Sequence, residues 1–178
     1  MSQVLIVPGL RNSGPTHWQS WLGTVLPNTM RVEQADWERP CLSDWAARVR
    51  ESIDATDDAV WLVAHSFGCL ATVTAGFVRG ERIRGALLVA PADPERFGEP
   101  TVLLEERLPF PSLVVASEND PWVNRDKAEH WAEQWGSGFV SIGHAGHINV
   151  DSGHGPWPDG LRLFEQLRSG SWPATPPG

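Results

Sequence analysis

The chain has 178 residues, a formal net charge of −8, and a hydrophobic fraction of 41%. This length and composition predict one globular domain large enough to bury a core. The acidic balance argues against nucleic acid or an anionic membrane as the main partner, because both are negatively charged. The sequence shows no membrane-spanning apolar run and no signal before its first strand, which favours a soluble protein in the cytoplasm.

Short apolar runs alternate with segments whose apolar residues recur at helical spacing. Continuous apolar runs are typical of strands buried on both faces, and the longer spacing is typical of one helix face. In chain order, the patterns predict strands at 4–7, 30–35, 60–63, 86–90, 113–116 and 139–142. They predict a helix at 16–26, a second that is capped by Ser43 and ends at about 55, and a third that follows the third strand and ends at about 78. A fourth helix is predicted to begin at Asn124 or Asp126 and to end at Gly136, and a fifth to span 158–167.

This alternation predicts a parallel sheet with helices on both faces. Residues 1–168 form the expected single domain, and the Pro-, Gly- and Ser-rich segment 169–178 is expected to be a flexible tail. The long connection 91–111 contains no clear element. It is therefore a candidate loop over a functional site.

The third predicted strand runs directly into the sequence AHSFG at 64–68 and then into a helical stretch. A sharp strand-to-helix turn around a serine flanked by small residues is typical of a nucleophile elbow, with Ala64 and Gly68 as the small residues here. The turn would present Ser66 Oγ beside a helix N-terminus, whose partial positive charge favours an oxyanion. On the pentapeptide alone, the alternative is an ordinary turn in which Ser66 caps the helix.

A serine nucleophile needs a base within hydrogen-bond reach, and the base needs a carboxylate to fix its tautomer. In an open parallel sheet, functional groups collect beyond the carboxyl ends of the strands. Glu118 and Asp120 follow the fifth predicted strand, and His144 and His147 follow the sixth. The order serine, acid, histidine is that of an α/β-hydrolase.

One residue of each pair is preferred. Asp120 is the predicted acid because Pro121 turns the chain after it, whereas Glu118 lies closer to the strand end. His147 is the predicted base rather than His144, because Gly146 before it allows a backbone bend toward the serine.

The predicted oxyanion hole uses the backbone N–H of Phe67 and that of Leu10, which follows a Pro-Gly pair after the first strand. Most of the ten tryptophans are expected to pack in the core or on helix faces. Trp37 and Trp122 lie just past predicted strand ends. They are therefore candidate substrate-binding residues.

Five motifs carry a resemblance to a known family: PGL at 8–10, AHSFG at 64–68, NDP at 119–121, GHIN at 146–149 and GHGPWP at 153–158. Together they resemble the small serine hydrolases of the retinoblastoma-binding protein 9 and YdeN family. The resemblance implies a compact α/β-hydrolase with about six strands in the order 2-1-3-4-5-6 and no large cap domain. It also implies triad roles for Ser66, Asp120 and His147, with no metal and no organic cofactor.

The leading functional hypothesis is hydrolysis of a carboxylic ester or related small acyl compound through an acyl-serine intermediate. A second hypothesis is a protein-interaction module with a vestigial or secondary hydrolase site, although no residue pattern indicates a protein partner. A third is a metallohydrolase built on His144, His147 and His154. These histidines lie among glycines with no helix to share, and the glutamate partner of a zincin is missing.

Overall fold

The structure is a computed structural model that describes residues 2–172. Within these residues the strands are β1 (Val4–Val7), β2 (Thr29–Arg31), β3 (Val60–His65), β4 (Ile83–Val89), β5 (Ser112–Ala116) and β6 (Gly138–Ser141). The α-helices are α1 (Trp18–Val25), α2 (Leu42–Asp54), α3 (Phe67–Arg79), α4 (Arg125–Trp135) and α5 (Pro158–Arg168). No helix in this described range is long and apolar enough to cross a membrane.

The strands form one sheet in the order β2-β1-β3-β4-β5-β6, and every neighbouring pair is parallel. The predicted fold and strand order are therefore confirmed. Because all strands run the same way, their carboxyl ends meet at one edge of the sheet. The loops that follow β1, β3, β5 and β6 converge there.

Side chains alternate between the two faces of the sheet. Leu5 and Leu62 pack in a cluster with the apolar residues of α2, α3 and α4. Val4 and Val63 pack in a second cluster with those of α1 and α5. The period-two alternation of a strand thus gives two apolar layers, each covered by helices.

Most element boundaries differ from the predicted ones by one to three residues, and two further differences concern β2 and the start of α2. The strand predicted at 30–35 is only three residues long, Thr29–Arg31. Helix α2 begins at Leu42, so Cys41 rather than Ser43 occupies the capping position, and it makes no side-chain capping bond. Instead, the N–H of Leu42 donates to Glu99 Oε1 at 3.1 Å, so a distant side chain satisfies this helix end.

The long connection between β4 and β5 contains two short 3₁₀ helices, Pro94–Phe97 and Thr101–Leu104, which the sequence patterns did not predict. Its later part is packed into the core, because Leu104, Leu108 and Phe110 are buried. The connection is therefore a partly buried strap and not a separate cap domain.

The predicted flexible tail is only partly described. Trp172 is half-buried in the cluster of α1 and α5, and its indole lies against the backbone of Gly138 at the start of β6. Trp172 therefore contacts the folded domain, and the flexibility of 169–178 stays a prediction. The rest of the predicted tail, 173–178, lies outside the described residues.

Candidate active site

Ser66 lies in the turn between β3 and α3 with φ 55° and ψ −124°. This backbone conformation is unfavourable for a residue with a Cβ and costs on the order of 1–3 kcal/mol. Hydrogen bonds on both sides hold it: Ser66 N–H donates to Val89 O at 3.0 Å, and Ser66 O accepts from the N–H groups of Cys69 and Ala92. The strained turn is thus fixed by its neighbours, as a nucleophile elbow requires.

The crowding expected around an elbow occurs at Gly68. A Cβ there would collide with the carbonyl oxygens of Val7 and Pro8, so only glycine fits without a backbone shift. A Cβ on Gly9 would lie 2.9 Å from Ser66 Cβ. The loop after β1 therefore runs directly beside the serine because two glycines permit it.

The structure brings Ser66, His147 and Asp120 into one chain of hydrogen bonds. His147 Nε2 lies 2.9 Å from Ser66 Oγ, and His147 Nδ1 lies 2.9 Å from Asp120 Oδ2. A carboxylate can only accept, so Nδ1 carries the proton and Nε2 accepts from the serine hydroxyl. The Asp120 side chain is 1% exposed and that of His147 is 11% exposed. This geometry suits general-base activation of a serine.

The competing residues of each pair lie elsewhere. Glu118 Oε2 and His144 Nε2 approach each other at 3.8 Å, with side chains 49% and 76% exposed. They pair with one another at the surface and do not reach Ser66. The structure therefore places Asp120 and His147, the preferred members of the pairs, beside the serine.

Two polar side chains join the loop after β5 to the loop that carries the histidine. Asn119 Oδ1 accepts from Gly146 N–H at 2.8 Å, and Ser117 Oγ accepts from Ala145 N–H at 3.0 Å. Gly146 has φ +57°, and a Cβ there would lie 2.6 Å from Ser152 Cβ. These contacts fix the bend before the histidine. The bend was predicted from the sequence, but the contacts of Ser117 and Asn119 were not.

His65, the residue before the serine, supports the same loop from inside the protein. It is buried, and its Nε2–H donates to the carbonyl of His147 at 2.9 Å. Burial, and next repulsion from His147 when that ring is protonated, lower the pKa of His65 well below its ordinary value. His65 therefore stays neutral and acts as a fixed donor. Its position beside Ser66 in the sequence is the signal from which this role could have been predicted.

The two predicted oxyanion donors are Leu10 N–H and Phe67 N–H. The next two N–H groups of the first loop are occupied: Arg11 donates to Trp37 O at 2.9 Å, and Asn12 donates to Gly9 O at 3.1 Å. In contrast, Leu10 N–H and Phe67 N–H have no acceptor among residues 2–172. Phe67 is also the first residue of α3, where N–H groups are unpaired and the helix dipole is positive.

An open cleft of about 640 Å³ lies over Ser66. Four apolar side chains that are exposed line it: Leu10, Phe97, Trp122 and Val150. The Trp122 ring is centred 6.5 Å from that of His147, so the tryptophan predicted to bind substrate does lie at the site.

Trp37, the other predicted substrate-binding residue, does not line this cleft. Its ring is partly buried and packs edge-on against Trp45 of the core at 5.4 Å. Trp37 lies away from the cleft because the second strand is shorter than predicted. Trp37 lies six positions past the end of β2 and not just beyond it.

The three histidines of the metallohydrolase hypothesis have separate partners. His144 lies near Glu118, His147 contacts Ser66, and His154 Nδ1 lies 3.2 Å from Ser152 Oγ. In the described part of the chain, no group of three or more histidine, cysteine, aspartate or glutamate side chains could hold a metal ion.

His17 also lines the cleft, and it makes stability depend on pH. Burial, and next the charge of Arg31, lower its pKa from 6.5 to about 4. Between these values the unfolded chain binds a proton that the folded chain does not, so the free energy of unfolding falls as the pH is lowered. We expect His17 alone to cost about 2 kcal/mol between pH 7.5 and pH 5.

Urea unfolding at the two pH values measures this loss. The variant His17→Asn should lose less stability on acidification than the wild type. The control His130→Asn, which changes an exposed histidine on α4, should behave like the wild type. An equal loss in wild type and His17→Asn would contradict the assignment.

The sheet and its elbow define an α/β-hydrolase fold. The sequence profile of the serine hydrolase family matches residues 4–166, and the chain belongs to this family. No curated protein matches the chain.

The chain is also similar to solved structures of hydrolases. A YdeN-like hydrolase from Pectobacterium atrosepticum is 36% identical, with a TM-score of 0.90 over 97% of this chain and 94% of that one. The YdeN gene product of Bacillus subtilis is 22% identical, with a TM-score of 0.79 over 95% and 100%. The carboxylesterase CesB of B. subtilis shares the fold at 11% identity, with a TM-score of 0.69 over 95% and 84%. The likeness to YdeN-type hydrolases is confirmed, and the link to retinoblastoma-binding protein 9 stays a prediction.

Proposed function

We propose that this hydrolase cleaves a small carboxylic ester or related acyl substrate through an acyl-serine intermediate, with Ser66, His147 and Asp120 as its catalytic triad. The observation that carries the proposal is the continuous hydrogen-bonded chain, with 2.9 Å on each side of the imidazole. Membership of the serine hydrolase family supports the same chemistry.

In the first half-reaction, Ser66 Oγ attacks the substrate carbonyl carbon while its proton passes to His147 Nε2. The carbonyl oxygen becomes an oxyanion, which the N–H groups of Leu10 and Phe67 would bind. Collapse of the tetrahedral intermediate breaks the ester bond. The proton on Nε2 passes to the leaving alkoxide, which departs as an alcohol and leaves the acyl group on the serine.

In the second half-reaction, a water molecule enters from the open cleft and gives a proton to His147 Nε2 as its oxygen attacks the acyl-serine. Collapse then returns the proton to Ser66 and releases the carboxylic acid. Asp120 holds the Nδ1–H tautomer throughout and stabilises the imidazolium formed in each half-reaction. These steps use only groups of the chain, so the proposal needs no metal or organic cofactor.

The substrate side of the proposal rests on the cleft. Its apolar rim of Leu10, Phe97, Trp122 and Val150 suits the hydrocarbon part of an ester, and its volume suits a small molecule. We therefore place the activity with the carboxylesterases (EC 3.1.1) rather than with amidases or peptidases, and propose that it acts in the cytoplasm.

Covalent labelling tests the proposal directly. A fluorophosphonate should phosphonylate the wild-type protein once, and peptide mass spectrometry should locate the adduct on Ser66. The protein should also hydrolyse 4-nitrophenyl esters of graded acyl length. A folded protein that neither reacts with the probe nor cleaves any of these esters would contradict the proposal and favour the interaction module.

The acid of the triad can be tested with a matched pair of variants. Asp120→Asn should lower kcat on the order of 10⁴-fold, because it disturbs the tautomer and removes the charge while it leaves nucleophile and base in place. Glu118→Gln is the control and should be nearly silent, since Glu118 does not reach the imidazole. Esterase assays measure both. The reverse pattern would mean that the acid is misassigned.

A further inference from the structure

A second histidine lies in the wall of the cleft and has no part in the triad. His17 precedes α1, is only 5% exposed, and lines the same cleft as Ser66. Its Nδ1 accepts from the N–H of Gln19 at 3.1 Å and so caps the helix. One ring nitrogen is therefore committed to the protein backbone.

The capping bond determines where the proton of the imidazole lies. Because Nδ1 accepts an N–H, the proton of the neutral ring must be on Nε2. Within residues 2–172, His17 Nε2 has no hydrogen-bond acceptor. It is also not one of the fully enclosed polar atoms without a partner, so it is accessible from the cleft. An N–H donor at the cleft wall is thus left for a ligand.

The charges around this donor favour an electron-rich partner. Besides burial, the groups that lower the pKa of His17 are Arg31, His147 and His154, all of them cations when charged. Arg31 is half-buried, and its guanidinium donates to Asn12 Oδ1 at 2.9 Å. In the described structure it forms no ion pair with a carboxylate.

Carboxylates do occur in the cleft wall, but they do not oppose His17. Asp93 Oδ1 is paired with Lys127 at 2.8 Å. Asp151 lines the cleft but is not among the groups that shift the pKa of His17. At neutral pH the charged group among those that lower the pKa of His17 is therefore the Arg31 cation, while the carboxylates of the cleft wall do not act on His17.

We propose that His17 Nε2–H binds a carbonyl or carboxylate oxygen of the substrate outside the scissile ester, so that the preferred substrates are oxo- or carboxy-substituted acyl esters. This inference rests on the proposed esterase function and names the substrate class. His17 is then a specificity-determining residue, because the N–H is left unpaired when an unsubstituted ester binds.

The test uses matched methyl esters and two histidine variants. The substrates are methyl esters of unsubstituted four- to six-carbon acids and their terminal oxo and carboxylate counterparts, with acid release followed by pH-stat titration. His17→Asn places an amide oxygen near the Nδ1 position, so it keeps the helix cap and loses the donor. His17→Gln places its amide nitrogen near the Nε2 position, so it keeps the donor and loses the cap. His130→Asn is the surface control.

For wild type and His130→Asn, we expect kcat/KM to be about 10-fold higher for an oxo or carboxy ester than for the plain ester of matched length. His17→Asn should lose this preference while it keeps its melting temperature. His17→Gln should keep most of the preference and melt at a lower temperature. If His17 had a purely structural role, the variant that loses the substrate preference would also be the variant with the lower melting temperature.

Two results would overturn the inference: a wild type that shows no preference at any chain length, or a His17→Asn variant that keeps the preference. Preference for the oxo esters alone would identify a neutral carbonyl as the bound group, and preference for the carboxy esters would identify an anion. Failure of the wild type to react with a fluorophosphonate would instead refute the esterase function itself, so the two failures are distinguishable.

Discussion

Replacement of Ser66 by alanine should lower kcat for ester hydrolysis by about 10⁴-fold or more. The reason is that, among residues 2–172, His147 Nε2 has the Ser66 hydroxyl as its hydrogen-bond partner, at 2.9 Å, and no other nucleophile. Hydrolysis of a 4-nitrophenyl ester measures the loss, and the variant should no longer react with a fluorophosphonate.

The Ser66→Ala protein should remain folded. Alanine has a smaller side chain, and the backbone bonds of residue 66 to Val89, Cys69 and Ala92 do not depend on the hydroxyl. Circular dichroism and thermal melting should therefore match the wild type. More than a tenth of wild-type activity in a pure sample would refute the assignment of the nucleophile.

The elbow could be predicted from sequence because its determinants are local. A buried strand, a serine between small residues and a helix follow one another in the chain. The clash of any Cβ at Gly68 is not local, because it involves the carbonyl oxygens of Val7 and Pro8 at the end of the neighbouring strand β1. The strand order was not fixed by local patterns. Right-handed crossovers between parallel strands narrow the possible arrangements, and the resemblance to the hydrolase family implied the particular order.

The sequence narrows the acid to Glu118 or Asp120 and the base to His144 or His147, but it does not give the geometry that distinguishes the two members of each pair. Their order along the chain places Asp120 and His147 at the correct edge of the sheet, yet Glu118 and His144 are equally close in sequence. The selection depends on loop conformation. Contacts between the two loops, such as Asn119 with Gly146, determine which side chains turn inward.

What the sequence could not supply are contacts between distant segments. The bond of His65 to the carbonyl of His147 joins residues 82 positions apart. The cleft wall at His17 depends on how the first loop packs over β3. Trp37 was placed near the site because the end of β2 was predicted four residues too late, and in the structure it packs against the core outside the cleft.

Replacement of His147 by alanine should cost as much as the loss of the serine, about 10⁴-fold or more in kcat, because an unactivated hydroxyl is a poor nucleophile at neutral pH. His144→Ala is the matched control. His144 is 76% exposed and lies 3.8 Å from Glu118, so its removal should leave activity nearly unchanged. Normal activity of His147→Ala together with an inactive His144→Ala would reverse the assignment of the base.

A double variant makes the test independent of the absolute rates. Ser66 and His147 act in one proton transfer, so the loss in Ser66→Ala/His147→Ala should be close to that of either single variant rather than the product of the two. If the two losses multiply, the residues act separately and the hydrogen bond between them is not part of the reaction. Since Nδ1 of the same imidazole is held by Asp120, adding Asp120→Asn to His147→Ala should likewise change little, because a carboxylate whose imidazole is gone has nothing left to orient.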